Sequence, residues 1–168
     1  MKSHFLGSIG IVFGFVVGVV FSGVAMSLSA GNMMLVEIRS PFDHGKTVST
    51  LTDNIAKQPG WHVVSVIDQQ KECLAHGGSD IGKFTIVKYC SGKTASVMLG
   101  SDDRKRLGAM MPKAFAVYEK SNGQVYVATA NGAIMGKLFG GETERIIEGV
   151  SLDVESMLRF LNFKFPLF

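Results

Sequence analysis

The amino-terminal part of the chain lacks charge over a length that limits what it can fold into. Between Met1 and Val36 the only charged side chain is Lys2, and the stretch 5–30 reads FLGSIGIVFGFVVGVVFSGVAMSLSA. About 20 apolar residues in a helix, each rising ~1.5 Å, cross a bilayer core of ~30 Å. We therefore predict one transmembrane helix within residues 1–36 that stays in place as an anchor.

A cleaved signal peptide is the alternative reading of this segment. Its apolar stretch is usually roughly 7–15 residues long and ends in an A-x-A-like site. The stretch here is longer, and Ser27-Leu28-Ser29 matches a cleavage site only weakly.

The orientation in the membrane is poorly determined by charge. The charges that flank the apolar stretch differ little between its two sides, because Arg39 and Lys46 are interleaved with acidic residues. The short amino-terminal tail favours a cytoplasmic amino terminus with the rest of the chain outside the cytoplasm, in the periplasm.

A stripe of small residues runs along the predicted membrane helix. Gly10, Gly14, Gly18 and Ser22 recur every four residues, which places them on one face. Small residues at this GxxxG-type spacing let transmembrane helices approach closely. The stripe therefore predicts packing against another copy or another subunit, although glycine is also common in membrane helices generally.

The remainder of the chain has the balance of an ordinary soluble domain. All 14 acidic residues and all but one of the 17 basic residues lie from Glu37 onward. The formal net charge of +3 comes without a basic stripe, which argues against nucleic acid as a partner. We predict a soluble domain over residues 37–162 and an aromatic tail over 163–168. The phenylalanines at 160, 163, 165 and 168 either complete the core or dock on a partner or the membrane.

Periodicity and turn signals predict the fold of the soluble part. Alternating apolar runs predict strands at 33–39, 61–68, 83–90, 113–120 and 124–129, and Asn122-Gly123 predicts a hairpin between the last two. Helical spacing predicts helices at 44–57, 95–99, 134–139, 142–148 and 152–161. The fold class is thus α+β, a two-layer antiparallel sheet with helices on one face, preceded by the transmembrane helix.

Short motifs in this order resemble the domain of unknown function 302 family. They are Ser40-Pro41-Phe42-Asp43, Thr47-Val48, Gly60-x6-Ile67-Asp68, Cys90 with Gly92-Lys93-Thr94, Met111-Pro112, Val117-Tyr118-Glu119 and Gly123-x-Val125. The resemblance covers roughly residues 36–161 and implies a small α+β domain that associates as a dimer, with no defining activity. Many members have a cysteine directly after the proline, where this chain has Lys113. A site built from two close cysteines is therefore not expected there.

One turn carries groups suited to a small anion. Ser91, Gly92, Lys93 and Thr94 lie between a predicted strand and a predicted helix, where backbone N–H groups and the lysine could hold an anionic ligand. Simple helix capping explains the same residues. A nucleotide-binding loop is not supported, because Gly77-x4-Gly82-Lys83 is followed by Phe84 and a β-rich run instead of Ser/Thr and a helix.

Three soft ligands form a second candidate site. Cys73, His76 and Cys90 could bind a metal or a sulfur species, although three ligands at this spacing fall short of a closed tetrahedral site. The sequence has no C-x-x-C-H, so covalent haem is not expected, whereas non-covalent haem needs only one histidine. A Cys73–Cys90 disulfide is the other option in an oxidising compartment. No cofactor is expected, with non-covalent haem or a metal as the alternative.

These observations lead to one main functional hypothesis and two alternatives. The main one is non-enzymatic: a single-pass membrane-anchored accessory or structural subunit of a larger membrane assembly, with the soluble domain as an interaction module. Its partners are the membrane, other membrane-protein subunits or a second copy. One alternative is an extracytoplasmic redox or ligand-binding protein using Cys90, Cys73 and His76. The other is an enzyme that uses the Ser91–Thr94 turn for an anionic substrate.

Overall fold

The computed structural model describes residues 14–23 and 33–165 and divides the chain into two compact units, Met1–Met34 and Leu35–Phe168. In the first unit, residues 14–23 are helical and their side chains are exposed. Most of the predicted membrane segment, including Gly10 of the small-residue stripe, lies outside the described residues. Within the described ranges, no helix is both long and apolar enough to span a membrane.

The second unit is an α+β domain built on one antiparallel sheet. Its five strands are β1 Leu35–Arg39, β2 His62–Asp68, β3 Phe84–Cys90, β4 Lys113–Glu119 and β5 Val125–Ala130. They lie in the order β1-β5-β4-β3-β2, and every neighbouring pair is antiparallel. The helices are α1 His44–Lys57, α2 Gln69–Ala75, α3 Gly92–Leu99, α4 Gly132–Phe139 and α5 Gly141–Met157, with 3-10 turns at Lys105–Met110 and Arg159–Leu161. The predicted antiparallel α+β fold is confirmed.

Helix α1 forms where the sequence predicts it. The Asp43 side chain accepts a hydrogen bond from the Lys46 backbone N–H at 2.8 Å, which caps the first turn. Leu51 and Ile55 lie four residues apart and are fully buried, so one face of the helix enters the core. The predicted β4–β5 hairpin is also present, and Gly123 adopts the positive φ of 73° that its turn requires.

The core lies between one face of the sheet and the helices α1 and α5. The buried strand residues include Val87, Phe115, Val117 and Val127, and they pack in one cluster with buried residues of both helices. The aromatic tail takes part as far as it is described: Phe165 is buried, and its N–H donates to the Glu155 carboxylate at 2.7 Å. Up to Phe165 the tail therefore belongs to the domain core, and residues 166–168 lie outside the described part.

Two helix predictions need correction. The predicted helices at 142–148 and 152–161 are one continuous helix, α5, which ends at Met157. Ser151 does not cap a new helix there, because its hydroxyl donates to the Ile147 carbonyl at 2.8 Å within the same helix. Helix α2 was not predicted, since its seven residues bury no side chain and so show no helical periodicity.

Candidate binding face and cavity

The face of the sheet opposite the core carries a block of small and apolar side chains. Strand alternation places Ala114 and Ala116 of β4 on this face, together with Ala128 and Ala130 of β5. The register extends the block sideways, because Ala116 lies opposite Ala128 on one side and Ile86 on the other. None of these five residues is fully buried. We call this surface, formed by Ile86, Ala114, Ala116, Ala128 and Ala130, the alanine face.

A cavity of about 520 Å³ opens on the alanine face and continues over the end of the sheet where β4 begins and β5 ends. It is lined by apolar residues from the strands, from the 3-10 turn before β4, and from α3, α4 and α5. Four of the lining side chains are methionines: Met98, Met110, Met111 and Met135. Unbranched, polarisable methionines adapt to ligands of different shape, which is typical of apolar binding sites.

Lys113 is the single charged residue among the described residues that line this cavity. Burial lowers the pKa of its ammonium, because the charged form is poorly solvated there. Across the described part of the chain, no side chain or carbonyl hydrogen-bonds or ion-pairs with it. Its cross-strand neighbour Tyr89 has a buried hydroxyl that also lacks a hydrogen-bond partner among those residues. Among the described residues, the Lys113 ammonium at this end of the β3–β4 pair therefore has no partner.

The other half of the same sheet face is polar and aromatic. Tyr118 stacks between Phe84 and Tyr126, with ring centroids 5.2 and 6.3 Å away. The Glu37 carboxylate accepts hydrogen bonds from the Tyr118 hydroxyl and from Lys120, whose Nζ lies 2.6 Å away. These bonds lower the pKa of Glu37. The pKa of Tyr118 is raised, mainly because burial desolvates its hydroxyl and in addition because that hydroxyl bonds to Glu37. The polar and aromatic side chains in this half of the face are therefore already paired with one another.

The Ser91–Thr94 turn is a helix cap in the structure. The Ser91 hydroxyl accepts from the Thr94 backbone N–H at 3.3 Å and so starts α3. Ser91, Lys93 and Thr94 also line a second cavity of about 510 Å³ that includes Arg145 from α5. Arg145 could not be predicted as part of this site, since no local pattern links it to a turn some fifty residues earlier. Anion binding at this turn stays a prediction.

The structure does not assemble Cys73, His76 and Cys90 into a metal site. Within the described residues there is no group of three or more His, Cys, Asp or Glu side chains placed to hold a metal ion. Both cysteines are free thiols, so the alternative Cys73–Cys90 disulfide is absent. His76 follows α2 at the surface and lies 3.6 Å from Glu72. Cys73 accepts a weak hydrogen bond from Gln69 at 3.7 Å.

Comparisons with known proteins agree with the fold. Residues 36–161 match the model of the family described as "Domain of unknown function DUF302". A solved structure of an uncharacterized conserved protein DUF302 from Bacillus stearothermophilus aligns with a TM-score of 0.66 and 16% identity, over 77% of this chain and 98% of that one. The family match begins at residue 36, so it falls within the second unit, Leu35–Phe168, which is compact by itself. No curated protein matches this chain.

Proposed function

The chain belongs to the domain of unknown function 302 family, and from that premise we propose that it is a membrane-anchored interaction module, an accessory subunit of a larger membrane assembly. The observation that carries the proposal is the alanine face. A sheet normally buries its apolar face against another layer, and a part-buried apolar surface of this kind is typical of a contact site. The family description names no activity.

The proposed anchor rests on the amino-terminal sequence. Residues 3–36 carry no charged side chain, and this length of apolar helix is sufficient to cross a bilayer. The domain then lies outside the cytoplasm, on the periplasmic side. The test is extraction of isolated membranes at alkaline pH: the full chain is expected in the pellet, and a 35–168 fragment in the supernatant. Intact mass distinguishes the alternative, since a cleaved signal peptide would leave a protein lacking the apolar segment.

The proposed contact surface has the shape expected for a protein partner. Its centre is formed by alanines of two neighbouring strands, with Ala116 opposite Ala128, and their short side chains let another backbone or side-chain layer approach closely. It carries no charge, which suits a subunit of a membrane assembly or a second copy of the domain and does not suit nucleic acid. The surface residues Leu35 and Phe84 continue it at either side.

Co-purification from solubilised membranes tests the contact. Ala116→Arg places a long charged side chain in the middle of the alanine face, and we expect the partner to be lost while the domain stays folded. Leu152→Arg is the matched control, because Leu152 is an apolar residue of α5 that is 68% exposed. Retention of the partner by Ala116→Arg, or its loss only in Leu152→Arg, would place the contact elsewhere and contradict the proposal.

The redox alternative and the anion-dependent enzyme stay predictions. For the first, the described residues contain no group of three or more His, Cys, Asp or Glu side chains placed to hold a metal ion, and haem held by a single histidine needs no such group. For the second, the Ser91 cap occupies the Thr94 N–H, which is one of the groups at this turn that could bind an anion. An absorption spectrum with metal analysis of the purified protein checks the redox alternative, which a Soret band or stoichiometric metal would support. The activity of Lys93→Ala toward an anionic substrate checks the enzyme, which unchanged activity would contradict.

A further inference from the structure

We propose that the cavity at the start of β4 binds a single-chain amphiphile with a carboxylate end group, the chain lying along the apolar wall and the carboxylate at Lys113. This inference goes beyond the interaction function and requires neither the anchor nor a protein partner. It concerns a small ligand, which the domain can bind by itself.

The size and lining of the cavity fit an acyl chain. A volume of about 520 Å³ lies within the range of roughly 300–1,000 Å³ that is usual for small-molecule sites. Apart from Lys113, the described residues of the lining offer only two side-chain polar groups, the hydroxyls of Thr94 and Thr129. A ligand that fills this space must therefore be apolar over most of its length. The four methionines can follow a flexible chain by changing rotamers.

Lys113 determines the end group. A mostly buried ammonium without an anion is unfavourable, whereas a carboxylate brought by a ligand would form a charge-assisted hydrogen bond with it. No carboxylate side chain is among the described residues that line the cavity. An uncharged ligand of the same length would fill the cavity and leave the lysine unpaired. Charge complementarity thus selects an anionic amphiphile.

A second copy of the domain satisfies Lys113 less well. The carboxylate on this sheet face is Glu37, and it already pairs with Lys120 and with the Tyr118 hydroxyl. A copy stacked on the same face would therefore bring apolar alanines to the cavity, while its own Glu37 carboxylate stays paired. A small acid that enters the cavity brings its own carboxylate to the wall that contains Lys113.

The test compares decanoate with decanol, which have the same chain and differ in the end group. Calorimetric titration of the 35–168 fragment at pH 7 is expected to show decanoate binding at least about 10-fold more tightly than decanol. Lys113→Met keeps the length and removes the charge, and we expect it to abolish this preference. Lys88→Met is the matched control, because Lys88 lies opposite Ala114 in the register but does not line the cavity.

A second variant tests the position of the chain. Ala128→Phe fills the cavity, keeps Lys113 and should lose both ligands, while thermal unfolding confirms that each variant is folded. Three results would overturn the proposal: no binding of decanoate to the unmodified fragment, an unchanged preference in Lys113→Met, or a dimer in sedimentation that persists with decanoate and excludes it. The ligand test uses the 35–168 fragment without a membrane partner, and the contact test uses the full chain, so failure of one proposal is distinguishable from failure of the other.

Discussion

At the scale of single residues, Asp153 of α5 holds the connection between α1 and β2 through one carboxylate. Its two oxygens accept hydrogen bonds from Gln58 Nε2 at 2.7 Å and from Trp61 Nε1 at 2.9 Å. Asp153→Ala leaves the indole N–H of a buried tryptophan without a partner. Hydrogen bonds to charged groups contribute about 1.5–3 kcal/mol, so we expect the free energy of unfolding to fall by about 2 kcal/mol.

Urea denaturation measures this loss, and Asp53→Ala is its control. Asp53 is an exposed residue of α1, and replacing it by alanine should change the free energy of unfolding by less than about 0.5 kcal/mol. Equal effects of the two substitutions would show that the Asp153 carboxylate does not stabilise the domain.

Glu37 is the residue whose charge ties β1 to the β4–β5 hairpin. Its bonds to Lys120 and Tyr118 hold its pKa below the ordinary value, so the ionised form is favoured in the folded protein. The stabilisation is therefore complete above the unfolded pKa and is lost as pH falls through the folded pKa. Because the pair is at the surface, we expect less than about 1 kcal/mol.

The measurement is the difference in the free energy of unfolding between the unmodified protein and Glu37→Gln. It should be constant from pH 7 to about 5 and shrink below that as the pH falls through the lowered pKa of Glu37. A difference that grows on acidification would contradict this assignment of the charge.

At the scale of elements, α1 could be predicted from the sequence and α5 could not. For α1, the Asp43 cap and the buried Leu51 and Ile55 are local signals that the fold uses directly. In α5, Gly149 and Ser151 imitate the end of one helix and the cap of the next. Packing on the core overrides these signals, since the helix buries Val150 and Val154 on either side of Ser151.

The contact between α4 and α5 depends on a missing side chain at Gly132. A Cβ there would overlap with the Ser151 hydroxyl, which would have to rotate away from the Ile147 carbonyl that it bonds. We expect Gly132→Ala to lower the free energy of unfolding by about 1–3 kcal/mol. In Ser151→Ala the obstacle is gone, so adding Gly132→Ala should cost much less, which a double-mutant cycle measures.

Gly149→Ala is the matched control, because a Cβ at this α5 position meets no atom within 4 Å. It should raise stability by up to about 1 kcal/mol through helix propensity alone. If Gly132→Ala behaves like Gly149→Ala, the close approach of the two helices is not as described.

At the scale of the whole molecule, the candidate site depends on residues that no local pattern connects. The alternation of alanines in β4 and β5 is visible in the sequence and could have indicated an unusually flat sheet face. The cavity could not be predicted in this way. Its lining includes Leu35, Lys113 and Val150, which are far apart in the sequence and are brought together by the strand order and the α4–α5 packing. Lys113 is notable in the sequence only through the family resemblance, as the residue after Pro112.

A substitution in the first unit can test which of two predicted contact surfaces binds the partner of the full chain. These surfaces are the small-residue stripe and the alanine face. Gly14 and Gly18 are helical, and a Cβ at either meets no atom within 4 Å in this structure, so their lack of side chains is not required by the described fold. If the stripe packs against a partner helix, Gly14→Ile should abolish co-purification in mild detergent while the protein remains in the membrane. Val16→Ile, two residues away and off the stripe, should retain the partner. Retention of the partner by both variants would leave the alanine face as the contact and make the glycine spacing incidental.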